Sequence, residues 1–138
     1  MVMSKAILTE ASHYRDIIEL GLCMFIHDVV NDVQFSFSTG TDFAAFINLK
    51  EHGAEVKVMP RENLRVCYFI RVISENIKPR TLANAWREGF LKRCAITQEY
   101  YEKHSGDICS YDATERNKQY KKNLDSALKK WKEFCRPT

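Results

Sequence analysis

Glycine and proline are scarce in this chain, with five and three among 138 residues. Tight turns lean on these two residues, so their scarcity argues against a loop-rich or all-β fold and against disorder. The glycines, at positions 21, 40, 53, 89 and 106, are dispersed, which excludes a glycine-rich phosphate loop. No G-x-S-x-G, HExxH or paired Cys–His zinc spacing occurs. The five cysteines (Cys23, Cys67, Cys94, Cys109 and Cys135) are an odd number without a CxxC pair. There is no Asn-x-Ser/Thr acceptor, and Met1–Lys5 leads into a mixed polar segment rather than a signal-peptide run. An intracellular, reducing compartment is expected, cytoplasm or nucleus. The longest apolar region, Ile17–Val30, is too short for a bilayer and contains Glu19, His27 and Asp28, so no membrane partner is expected.

What the chain does have is apolar residues at helical spacing. A length of 138 residues fits one domain. Thr9 is positioned to cap a helix running to about Asp32, with Ala11, Tyr14, Ile18, Leu22, Phe25, Ile26, Val29 and Val33 at three-four spacing. Val33–Ser38 alternates at strand period, which fits either a short strand or an extended connection pinning Phe35 and Phe37 to the core. Asp42 is the expected cap of a short helix through Phe43, Phe46 and Ile47 to Lys50, closed by His52–Gly53. Pro60 favours a helix starting near Arg61. Leu64–Ile73 has strand-like composition, but the unbroken stretch to Ile77 favours helix by its length. Pro79 forces a stop. Arg80–Thr81 then opens a helix with Leu82, Ala85, Trp86, Phe90 and Cys94 inward, read as continuing through Ile96, Tyr100 and Tyr101 to His104. Asp112 with Glu115 resembles a capping box for the last helix. That helix carries Tyr120, Leu124, Ala127, Leu128, Trp131 and Phe134 on one stripe and lysines elsewhere.

Charge is unevenly distributed. From Ala113 to Thr138, eight basic residues face three acidic ones, a net of +5; the overall charge of +3 therefore leaves −2 for residues 1–112. A basic tail on a mildly acidic body attracts acidic partners. Lys118, Lys121, Lys122, Lys129, Lys130 and Lys132 are candidate phosphate or partner contacts. Tyr120 and Trp131 interleave with them and could stack on bases. Both rings also fall on the Leu124/Leu128 stripe, which makes them core or interface residues first, and the same stripe could pair with a partner helix or a second copy. Cys23 and His27 are spaced i,i+4, but no second ligand pair accompanies them, so no metal site is expected.

Leu64–Phe90 resembles the C-terminal helical part of jerky/tigger/pogo-type transposases of the DDE class. The resemblance lies in Tyr68 and Ile70, then Glu75-Asn76-Ile77-Lys78-Pro79, Thr81-Leu82 and Asn84-Ala85-Trp86-Arg87. It implies a helix, a short turn and a Trp-bearing helix. It does not import activity, because DDE chemistry requires three carboxylates around two metals and no positions of this chain correspond to them. It implies a derived, non-catalytic fragment that retains binding to nucleic acid or protein.

The sequence therefore predicts a mainly α, single compact domain of about five helices, with room for one small β element between Val33 and Val58. Residues 1–112 would form a helical body, and 113–138 a basic amphipathic helix packed on that body or on a partner. The first helix and the Leu64–Ile77 helix would form the core, with Trp86 against them. The leading functional expectation is a non-enzymatic protein, without cofactor, that binds another protein or itself through a helical surface. The alternatives are a nucleic-acid-associated protein using the basic helix and a small enzyme whose site is assembled from scattered residues.

Overall fold

The computed structural model describes residues 17–51 and 55–135, and these are mainly α-helical. Among the described residues six helices follow one another: α1 (Leu20–Val30), α2 (Gly40–Ile47), α3 (Asn63–Ser74), α4 (Arg80–Arg93), α5 (Gln98–His104) and α6 (Glu115–Cys135). A 3-10 turn, Asp107–Cys109, joins α5 to α6. The closest helix packing is of α1 on α6, α1 on α2 and α3 on α4. No helix of the described residues is long and apolar enough to cross a membrane.

The first helix is shorter than its periodicity suggests. Glu19 is extended at φ −64°, ψ 151°, and Ile17 and Ile18 form a bend. The cause is Asn48. Its buried side chain accepts from Ile18 N–H at 2.7 Å and donates to Ile18 O at 3.0 Å, taking both groups that a longer helix would need. The expected cap Thr9 lies outside the described residues.

Among the described residues between Val33 and Val58 no strand forms. Phe35 makes two isolated bridges, parallel to Asn31 and antiparallel to Val58. The alternation of this segment is not the alternation of its burial, since Phe35 is fully buried while Phe37 is 73% exposed. Phe35 instead sits at the centre of an aromatic cluster. Its ring lies 5.3 Å from those of Phe46 and Phe69, 5.9 Å from Phe43 and 6.2 Å from Phe90. Such pairs contribute about 0.5–1.5 kcal/mol each beyond the area they bury. Trp86 stacks on Phe90 at 5.0 Å. The core thus joins α2, α3 and α4 around an irregular segment, while α1 turns mainly to α2 and α6.

Helix ends also differ from expectation. Thr39, not Asp42, caps α2, its Oγ1 accepting from Asp42 N–H at 3.1 Å. The helix stops at Ile47, before the expected Lys50, and His52–Gly53 lies outside the described residues. Arg61 has φ 67°, so α3 begins two residues later than Pro60 suggested. The Leu64–Ile73 stretch is helical, and Val66–Ile70 are all buried, which reconciles its strand-like composition with a helix enclosed on nearly every side. After Pro79, whose peptide bond is cis, α4 runs only to Arg93. Ala95 at φ 58° ends it, with Ile96 N–H bonded to Leu91 O, and Thr97 caps a separate α5. Thr114 caps α6 through Asn117 N–H; Asp112 instead accepts from the Ser110 hydroxyl.

Candidate interaction surface around the last helix

α6 is amphipathic in three dimensions as well as in sequence. Tyr120, Leu124, Ala127 and Leu128 are buried, and lysines cover the outer face. At about 100° per residue, Lys118, Lys122 and Lys129 fall within an outward arc of about 40°. Lys121 and Lys132 flank that arc on the side of α3. Lys130 lies on the other flank, the one bearing Phe134, which meets Phe25 of α1 at 6.1 Å and remains 78% exposed. Five of the six lysines therefore share one broad face and Lys130 stands apart.

Their charges are not equally available. Lys118 lies 3.7 Å from Glu115. Lys121 bonds Asp125 at 2.7 Å, which holds its ammonium pKa above the usual lysine value. Asp125 also accepts from Tyr68 OH at 2.8 Å, while burial, reinforced by that bond, pushes the Tyr68 phenol upward. Lys122, Lys129, Lys130 and Lys132 are exposed and have no ion-pair partner among the described residues.

The two candidate stacking rings are both engaged. Tyr120 is buried, and desolvation raises its phenol well above the normal range. Trp131 is half-buried; its Nε1 donates to Glu19 Oε1 at 2.8 Å, and its ring edge lies close to Gly21. These placements agree with core positions on the apolar stripe.

A groove of about 480 Å³ runs between α3 and α6. Tyr68, Val72 and Leu128 form its walls, and its rim carries Glu75, Asp125, Lys129, Lys132 and Glu133. Of these residues only Lys129 and Lys132 belong to the set that the sequence marks out. The α3 residues were not legible in advance, because on sequence they are simply core helix.

A second polar cluster lies at the other end of α6. Glu62 is buried and accepts from Gln34 at 3.0 Å, Arg65 at 2.9 Å and Arg116 at 3.2 Å. Only the Glu62–Arg65 spacing, i,i+3, is a local signal; Arg116 arrives from a helix 54 residues away. This network fixes the start of α6 onto α3.

The scattered candidates for chemistry do not converge. Cys23 is fully buried and donates to Ile18 O, whereas His27 Nε2 bonds Ser38 O at 2.8 Å on the α2 side. His104 pairs with Asp107 at 2.7 Å in an exposed local turn. No group of three or more His, Cys, Asp or Glu among the described residues is placed to hold a metal. Comparison of the chain with protein families, curated proteins and solved structures finds no match.

Proposed function

We propose that this chain is a non-enzymatic interaction protein that binds a protein partner through the α3–α6 groove and the helical surface around it. The observation that carries this reading is the groove's make-up. Aliphatic and aromatic walls can take an apolar anchor, and a rim bearing both signs of charge can pair with mixed side chains. The test is affinity capture from nuclease-treated extract with wild-type protein and with Glu75→Arg/Lys132→Glu, two rim positions whose substitution leaves the core intact. A partner retained by wild type and lost by the variant is the expected result. Capture of material that disappears entirely on nuclease treatment would sink the reading.

A second reading, nucleic-acid association through α6, is supported by the exposed Lys118–Lys122–Lys129 arc. It fits the binding role that the transposase-like segment implies. It requires steep loss of binding with salt and weakening by Lys121/Lys122/Lys129/Lys130→Glu. Absence of binding at low salt counts it out.

A further inference from the structure

The α3–α6 groove is one of three recesses that meet at the turn joining α3 to α4. A second, of about 210 Å³, passes beneath Trp131 between Leu22 and Ile73 and shares Asn76 with the first. A third, of about 620 Å³, is bounded by Arg80, Asn84 and Arg87 of α4 and shares Glu75 with the first. Ile77 and Lys78 line both the second and the third. The Glu75–Lys78 turn is thus a hub from which the three recesses radiate.

Around this hub the acids are largely engaged and the bases are not. Glu75 is paired with Arg71 at 3.4 Å and Asp125 with Lys121 at 2.7 Å, whereas Glu19 accepts from an uncharged donor, Trp131 Nε1, at 2.8 Å. Glu133 is the lining acid that lacks a partner among the described residues. Lys78, Arg80, Lys129 and Lys132 lack an ion-pair partner among the described residues, and Arg87 lies over the Tyr101 ring at 5.5 Å. Cations of one sign around concave, low-dielectric walls reinforce one another's field. The walls between them are Val72, Ile77, Leu82 and Leu128.

We infer that the occupant of this hub is an acidic peptide segment of the partner, its Asp and Glu carboxylates facing Lys78, Arg80, Lys129 and Lys132 and one or two apolar side chains entering the recesses. The inference rests on the protein-binding reading above and names the chemistry of the partner. Separate carboxylates suit separate cations interrupted by Glu133. A nucleic-acid strand suits them less, because its charge is continuous and Tyr68, one of the two rings near the hub, is buried.

The test uses a fluorescein-labelled twelve-residue peptide of Glu, Asp and Leu, and its counterpart with Gln and Asn in place of the acids, followed by anisotropy. The acidic peptide is expected to bind and the neutral one to bind at least about tenfold more weakly at low salt. Lys78→Glu/Arg80→Glu and Lys129→Glu/Lys132→Glu should each weaken the acidic peptide about tenfold. Lys78→Arg/Arg80→Lys should retain it, and Lys118→Glu/Lys122→Glu, outside the recesses, should leave it unchanged. Equal binding of both peptides, indifference to the charge reversals, or displacement of the peptide by a single-stranded oligonucleotide of tighter affinity would overturn the inference. If a captured protein partner is lost by Glu75→Arg/Lys132→Glu yet is not displaced by the acidic peptide, the acidic occupant is wrong and the protein-binding reading stands. If capture is wholly nuclease-sensitive, that reading itself fails.

Discussion

The indole Nε1 of Trp86 donates to the carbonyl oxygen of Ile47 at 2.7 Å, across a separation of 39 residues. Ile47 is the last residue of α2, so its carbonyl has no partner in its own helix. Trp86 thereby closes α2 against α4 and stacks on Phe90 as it does so. Arg93 completes the join by donating to Phe46 O and Lys50 O at 3.1 and 2.8 Å.

Trp86→Phe keeps most of the ring and loses the donor. It should destabilise the fold by about 1–3 kcal/mol, the cost of leaving a buried carbonyl unpaired. Trp86→Ala should cost about 3–5 kcal/mol through the cavity it leaves. Urea unfolding of the two variants measures both values, and equal midpoints for Trp86→Phe and wild type would show the bond to be energetically idle.

Glu62 is expected to behave as a buried partner of a cation. Its side chain is 4% exposed, and it joins α3 to α6 through Arg65 and Arg116. Removing it in Glu62→Ala leaves Arg65 without its acceptor and should cost about 3–5 kcal/mol. Arg116 is 68% exposed, so Arg116→Ala should cost less than about 1 kcal/mol. The reverse ranking in thermal melts would contradict the assignment of Glu62 as the keystone of that end.

Stability should decline in alkali. Burial, with a smaller push from Asp107, raises the Cys67 thiol from 9.0 to about 12, and burial raises Cys94 further. The unfolded chain releases these protons from about pH 9, while the folded chain keeps them. Stability is therefore fully present below pH 9 and falls as pH rises from 9 toward 12, by up to about 1.4 kcal/mol per pH unit for each thiol. Denaturant midpoints between pH 7.5 and 11 report the slope, and Cys67→Ala/Cys94→Ala should flatten it between pH 9 and 10. An unchanged slope in that variant would assign the alkaline loss to the tyrosines.

Thiol labelling should divide the cysteines in two. Cys109 and Cys135 are exposed, and Cys23, Cys67 and Cys94 are buried. A colourless-to-yellow aromatic disulfide reagent should modify two thiols quickly in native protein and three more only in denaturant. Desolvation and the neighbouring Glu19 carboxylate raise the Cys135 thiol, so Cys109 should react first. Fast labelling of a third thiol would mean that the core opens more readily than its packing suggests.

The sequence revealed the helices better than their ends. The stripe of α6 and the helix–Pro79–helix order of α3 and α4 follow from apolar spacing, which packing then enforces. The ends of α2 and α4 carry no such mark. Both close with a residue at positive φ, Leu49 at 63° and Ala95 at 58°, where glycine would ordinarily announce the stop. The break between α4 and α5 is therefore hidden, although Thr97 is a recognisable cap in retrospect. Ile18 is buried as its spacing suggests but lies outside the helix, because Asn48 takes its backbone groups; Phe37 is exposed because the bridges of Phe35, not local period, orient this segment. The candidate surface was half legible. The lysines of α6 are visible in composition, but the α3 wall that turns them into the rim of a groove depends on the long-range packing of α3 and α6.

Glu19 receives both Trp131 Nε1 and Cys135 Sγ, the latter across 116 residues. In the order of synthesis, α1 emerges long before the helix that covers it. Until α6 has been made, the side of α1 that carries Gly21 and Phe25 lacks the rings of Trp131 and Phe134, and Glu19 lacks these two donors. Covering of this flank is thus a late step, and a nascent chain stalled before Trp131 should expose it even where the aromatic core of α2, α3 and α4 has already closed.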